Sequence, residues 1–206
     1  MKKGFTLVEM LVVIGIIALL VGASIGGYSA VTKMAEKTKA QELVSNVATA
    51  MMVMYQQEGM WPKRIAAVGE KGGKLDKDRA YAIRTYFSMN TDAEGLQLVG
   101  LDRFGIVTPW ATSVLKSRGS GATLSTIVSN AKDGAHTIDD HILWFAVDAD
   151  GDGIIKGVNV GGESVDVRAT AIVWCAGKDG KMESYKDGLK KDDIYSWSYG
   201  QTRGVQ

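Results

Sequence analysis

Glu9 stands at the head of an apolar run that meets no charge until Lys33, and this limits what the first part of the chain can become. Met10 to Thr32 holds no Asp, Glu, Lys or Arg. As an α-helix that run would extend about 35 Å at 1.5 Å per residue, enough to cross the hydrocarbon core of a bilayer. An ionised carboxylate at membrane depth costs roughly 2.5 kcal/mol or more, so Glu9 needs a reason to be there. Lys2 and Lys3 precede the run and stay cytoplasmic by the positive-inside rule, which leaves everything after Tyr28 outside. A secretory signal cut near Val21-Gly22-Ala23 and a plain signal anchor are the simpler readings. Both leave Glu9 unexplained, and a secretory signal has an apolar core of only about 7–15 residues.

The opening Met1-Lys2-Lys3-Gly4-Phe5-Thr6-Leu7-Val8-Glu9 resembles the class III signal of type IV pilins and type II secretion pseudopilins. In that family a leader ending in glycine is cut before a phenylalanine, and a glutamate is the fifth mature residue. The corresponding positions here are Gly4, Phe5 and Glu9. The resemblance implies cleavage by a prepilin peptidase, N-methylation of the new Phe5 terminus by an N-methyltransferase, and pairing of Glu9 with the terminal amine of a neighbouring subunit. A mispaired register would leave both charges bare in low dielectric.

Composition narrows the rest. The chain has 206 residues, enough for one domain and a long helix. Its 24 Lys+Arg nearly cancel its 23 Asp+Glu, so net charge gives no signal for nucleic acid. Cys175 is the single cysteine, which excludes an intramolecular disulfide in a body expected outside the cytoplasm. Many type IV pilins close their C-terminal loop with a disulfide, so something else must hold that region here. Cys175 is expected as a small, half-buried, unreactive residue at a strand end, and the five tryptophans as packing. His136 and His141 are the only histidines, too little material for a zinc or Ser-His site, and no nucleophile–base pair is visible. An enzyme is not expected.

Beyond Tyr28 the apolar pattern becomes periodic. Val31, Met34, Ala35, Leu43, Val47, Ala50, Met51, Met54 and Tyr55 recur mostly every three or four residues, with Lys33, Lys37, Lys39, Glu42 and Gln56 between them. That spacing predicts an amphipathic helix continuing from the apolar one. It should stop near Glu58-Gly59, before Pro62, and Gly26-Gly27 predicts a kink or local melting within it. Arg79 to Met89 reads as a short helix, Ser113 to Ala131 is ambiguous, and Asp102-Arg103-Phe104-Gly105 with Pro109-Trp110 reads as a turn. Strands are expected over Ile142–Val147, within Val165–Trp174 and over Ile194–Tyr199, with a turn at Asp148–Gly153. The expected divisions are a leader (1–4), a transmembrane and polymerisation helix (5–28), its amphipathic half (29–60), a variable αβ region (61–140), and an antiparallel sheet with C-terminal loop (141–206). The fold class is α+β, a long N-terminal helix packed on a C-terminal antiparallel sheet.

Two acidic segments carry ligand chemistry. Asp148-Ala149-Asp150-Gly151-Asp152-Gly153 places three carboxylates at alternate positions around a glycine, the first half of a calcium loop. Its twelfth position is Asn159 rather than glutamate, and Asp and Gly are also what an ordinary acidic hairpin turn demands. The second segment runs from Trp174-Cys175-Ala176-Gly177-Lys178-Asp179 to Asp192-Asp193-Ile194-Tyr195-Ser196-Trp197. It resembles the C-terminal loop of major pseudopilins, which implies calcium held by Asp179, Asp192 and Asp193, with Asp187 a weaker match because its spacing differs. The family usually has serine where Cys175 stands, and Lys178, Lys181, Lys186, Lys190 and Lys191 offset the charge, so a solvated mixed-charge loop is the alternative.

These features imply a membrane-anchored subunit of a pseudopilus for type II secretion. Its partners would be the processing enzymes, copies of itself, other (pseudo)pilins and an inner-membrane assembly platform. A type IV pilus pilin, and a membrane-anchored calcium-binding module that never polymerises, are the alternatives. Expected localisation is the bacterial inner membrane, single-pass, then a periplasmic pseudopilus or surface filament.

Overall fold

The computed structural model describes residues 6–90, 106–111, 138–189, 191–198 and 201–203, apart from the side chains at 23–30, 77, 84, 85, 87–90, 138, 139 and 203. The expected cleavage pair Gly4-Phe5, the Ser113–Ala131 stretch and Tyr199 lie outside these residues. Two compact units partition the chain, Met1–Thr38 and Lys39–Gln206. Helix α1 (Leu7–Glu58) contributes to both.

In the first unit, α1 presents apolar side chains around its whole circumference. Leu7, Val8, Met10 to Ile14, Ile16, Ile17 and Leu19 to Val21 are all exposed. Leu7 and Leu19 are 79% and 76% exposed. A helix that is apolar all round belongs in a membrane or among other helices rather than in water. Among the described residues no helix is long and apolar enough to cross a membrane, and the expected span at 10–32 includes the undescribed side chains at 23–30. α1 stays helical through Gly26-Gly27, so the local melting expected there is absent. Val31 and Met34, read as part of the amphipathic stripe, are exposed.

The stripe that is buried begins at Ala40. Ala40, Leu43, Val44, Val47, Ala48, Met51 and Met54 recur every three or four residues and form one face of the second unit's core. The helix ends where the sequence predicts. Gly59 takes φ 71°, and its N–H donates to the Tyr55 carbonyl at 2.9 Å. Trp61 then folds back on Tyr55, ring centroids 4.7 Å apart, and its Nε1 donates to the Asp148 carbonyl at 2.8 Å. The helix exit is thereby pinned to the acidic turn.

Between helix and sheet come α2 (Lys63–Ala66), β1 (Gly73–Lys74) and α3 (Lys77–Asn90). Asp76 caps α3, its Oδ1 accepting the Arg79 N–H at 3.1 Å while Oδ2 takes the Arg79 guanidinium at 2.9 Å. After a 3₁₀ turn (Ile138–His141) follow β2 (Trp144–Val147), β3 (Ile155–Val160), β4 (Glu163–Val167), β5 (Ala171–Cys175), α4 (Tyr185–Gly188), β6 (Ile194–Tyr195) and β7 (Thr202–Arg203). One antiparallel sheet has the order β1-β2-β5-β6, the other β3-β4-β7.

The four-stranded sheet is buried on both faces. Phe145, Val147, Val173 and Cys175 join the core formed by α1. Ala146, Ile172 and Trp174 point the other way, into a second core with Ile155, Val158, Val160, Val165 and Val167 of β3 and β4. β5 is consequently apolar at every position, as a strand covered on both sides must be. The predicted Val165–Trp174 strand is in fact two: β4 alternates, β5 does not, and a turn separates them. β3 went unpredicted because Gly157, at φ 68° in a register shift, breaks its alternation. Cys175 is fully buried rather than half-buried, since it stands inside this central layer.

Candidate functional site

The N-terminal site is built around Thr6 and Glu9. Glu9 Oε2 accepts the Thr6 backbone N–H and the Thr6 hydroxyl, each at 2.8 Å, and Thr6 Oγ1 accepts the Glu9 N–H at 3.3 Å. This is a capping box, Thr-x-x-Glu, which satisfies donors that the first helical turn otherwise leaves open. Both donors fall on Oε2. The sequence reading missed Thr6, although Thr three residues before Glu at the head of an apolar run is the signature of such a box.

The acidic turn Asp148–Gly153 closes largely on itself. Asp148 is buried, and its two carboxylate oxygens accept the N–H groups of Gly151 at 2.7 Å and Gly153 at 2.8 Å. Asp150 Oδ1 accepts the Asp152 N–H at 3.1 Å, and Asp152 Oδ1 accepts the Ile154 N–H at 2.8 Å. Of the predicted trio, Asp148 and Asp150 converge with Glu70, one oxygen from each lying within 4.8 Å of the others. Asp152 instead pairs with Lys156, whose ammonium, followed by the Ile154 N–H, holds the Asp152 carboxyl below the usual range.

The C-terminal loop between β5 and β6 is braced by Asp193. Its Oδ1 accepts the Gly177 N–H at 3.1 Å, and its Oδ2 accepts the Glu183 N–H at 3.1 Å and the Tyr195 hydroxyl at 3.2 Å. Burial pushes the Asp193 carboxyl up to about 6 against these donors, and burial together with the neighbouring Asp193 pushes the Tyr195 hydroxyl upward. Asp192 Oδ2 accepts the Lys178 N–H at 2.7 Å. Close approach of these carboxylates requires glycine: a Cβ on Gly177 would collide with Asp192, and one on Gly188 with Asp193 and Tyr195. Carboxylate–amide hydrogen bonds thus tie the loop across sequence separations of 10 to 16 residues. They do the mechanical work of the missing disulfide.

Of the predicted C-terminal ligands, Asp179 and Asp192 converge, joined by Glu183, with one carboxylate oxygen of each within 4.8 Å of the others. Asp193 is spent on the brace. Asp187 turns to Ser184, whose hydroxyl donates to it at 3.1 Å. Glu183 escaped the sequence reading because nothing but the folded loop brings it to Asp179 and Asp192. Its Oε1 receives Lys191 Nζ at 2.6 Å, while Oε2 is buried without a hydrogen-bond partner among the described residues.

Comparison with known proteins bears on the N-terminal end. The prokaryotic N-terminal methylation motif matches residues 1–25. A type IV major pilin protein of Neisseria gonorrhoeae, PilE, is 32% identical over 69 residues, 34% of this chain and 41% of its own length. The fimbrial protein EcpC of Eikenella corrodens is 32% identical over 68 residues, 33% of this chain and 44% of its own. Over about a third of its length this chain is similar to type IV pilins. A fimbrial protein of Neisseria meningitidis serogroup A is similar to the same extent, 30% identical over 69 residues. The chain spans less than half the length of these relatives. No solved structure matches at the same stringency. The α+β architecture, a helix followed by antiparallel sheets, agrees with a pilin-like fold.

Proposed function

We propose that the chain is a prepilin-like subunit, cleaved between Gly4 and Phe5, methylated on Phe5 and assembled through its N-terminal helix into a pseudopilus for type II protein secretion. The observation that carries the filament reading is the uncovered apolar surface of residues 7–21 behind a capped Glu9. Such a surface is stable in a bilayer before assembly and among neighbouring helices afterwards. Thr6 engages only Oε2 of Glu9, and the other carboxylate oxygen, which has no hydrogen bond among the described residues, would take the terminal amine of a neighbouring copy. The partners on this reading are prepilin peptidase, N-methyltransferase, an inner-membrane assembly platform and other pilins or pseudopilins.

The secretion assignment rests on the acidic C-terminal loop closed without a disulfide. A cation fits this loop better than the Asp148–Gly153 turn. Three carboxylates from separate parts of the loop converge, and Glu183 Oε2 is a buried acceptor without a donor among the described residues. In the turn, backbone N–H groups occupy both oxygens of Asp148, and Lys156 pairs with Asp150 and Asp152. Calcium at the first site would be held by Asp179, Glu183 and Asp192 and would supply fixed positive charge linking those segments. A type IV pilus is the second reading, favoured by the relatives named as major pilins. Deleting the gene in its own host tests the choice. Loss of exoprotein secretion with surface fibres intact supports the pseudopilus, whereas loss of fibres with secretion intact assigns the pilus.

A further inference from the structure

Lys191 occupies the place beside the acidic C-terminal cluster that a free cation would seek. Its Nζ lies 2.6 Å from Glu183 Oε1, the side chains being 56% and 14% exposed respectively, so a solvent-borne ammonium is seated on a mostly covered carboxylate. Glu183 in turn lies within 4.8 Å of ligand oxygens from Asp179 and Asp192. Carboxylates this close repel one another, the more strongly where the surroundings exclude water. A third carboxylate adds to that cost. The Lys191 ammonium, seated on Glu183, offsets it. The arrangement recurs at the other acidic turn, where Lys156 Nζ contacts Asp152 and lies 3.5 Å from Asp150.

We propose that Lys191 is a tethered counter-cation of the C-terminal cluster, exchanging with a divalent cation that must displace it from Glu183. This rests on the calcium reading of the loop. The Asp193 brace involves neither Glu183's carboxylate nor Lys191, so the loop stays folded with either cation in place. Calcium then retunes a formed loop instead of creating it. Its affinity is set by a competition within the chain, as affinities of oxygen-ligand calcium sites are generally set by ligand charge and rigidity.

Titration calorimetry with calcium chloride on the full chain in detergent micelles tests this, using the unchanged protein, Lys191→Gln and Lys191→Arg. Removing the ammonium should tighten calcium binding about tenfold, while arginine, which keeps the charge, should leave it near the starting value. Equal dissociation constants for the unchanged chain and Lys191→Gln would overturn the exchange and leave the calcium reading standing. Absence of binding by all three at millimolar calcium would overturn the calcium reading itself, and the exchange with it. A second readout is the resonance of ¹³C-methylated Lys191. It should move toward that of a free lysine as calcium is added, and a resonance unmoved by bound calcium contradicts displacement.

Discussion

Glu9 and Thr6 hold each other at the head of α1: Glu9 Oε2 takes both the backbone N–H and the hydroxyl of Thr6, and Thr6 Oγ1 takes the Glu9 N–H. The carboxylate that is hardest to justify in an apolar segment therefore has a local partner before any assembly. In a filament the same pair would orient the carboxylate toward a neighbouring amine. Glu9→Ala should still be cleaved yet fail to assemble, because the terminal amine of the neighbour loses its counter-charge. Thr6→Ala should reduce assembly less, since the charge remains and only its orientation is lost. Sheared-filament yield by immunoblot reads both. Wild-type yield from Glu9→Ala would contradict the pairing.

Asp193 is the brace whose loss is most costly. Asp193→Ala strands three donors, the buried Gly177 N–H and the partly buried Glu183 N–H and Tyr195 hydroxyl. The expected loss is about 3 kcal/mol, given about 1–3 kcal/mol for each buried group left unsatisfied and partial relief by water. Tyr195→Phe removes one donor together with its hydroxyl and should cost about 1 kcal/mol. Chemical denaturation followed by tryptophan fluorescence suits this, because Trp174 and Trp197 lie in the adjacent core. Equal midpoints for Asp193→Ala and the unchanged chain would remove the brace from the account.

Gly161 couples the second sheet to that loop. At φ 55° it begins the two-residue turn between β3 and β4, and a Cβ there would strike the Glu183 backbone. Gly161→Ala should destabilise by about 2 kcal/mol or more, combining a left-handed backbone penalty with a backbone collision. Gly162→Ala shares the positive φ, 88°, but meets no atom within 4 Å, so its cost should be the smaller. Thermal midpoints of the two variants give the comparison, and the reverse order would be inconsistent with the packing described.

Cys175 is fully buried, and burial, with Asp193 and Asp192 nearby, pushes its thiol well above the usual range. The raised thiol carries less thiolate than a free cysteine at the same pH, and the thiolate is the reactive species. Iodoacetamide should therefore leave the native chain unmodified at pH 7 and at pH 9, and label it fully once denatured. Mass spectrometry reads the difference. Rapid native labelling that rises from pH 7 to pH 9 would place the thiol at the surface.

Much of this was legible in the residues, for identifiable reasons. α1's end at Gly59 and its buried stripe from Leu43 follow from a glycine cap and a spacing of three and four, both local signals. β3 and the split between β4 and β5 were not legible. A bulge at Gly157 hides one alternation, and burial on both faces erases the other. The acidic loop was half legible. Asp179 and Asp192 meet as the family resemblance implies, whereas Glu183 joins them only through the fold, and Asp193 is diverted to backbone donors that no spacing rule reveals.

The most direct test of the subunit reading is the intact mass and N-terminal sequence of the chain co-expressed with a prepilin peptidase bearing N-methyltransferase activity. The account predicts a mature chain that begins at methylated Phe5 and retains Thr6 and Glu9 at its head. A chain left uncut, or one beginning near Ser24, would lack the processed N-terminus on which assembly depends and would contradict it.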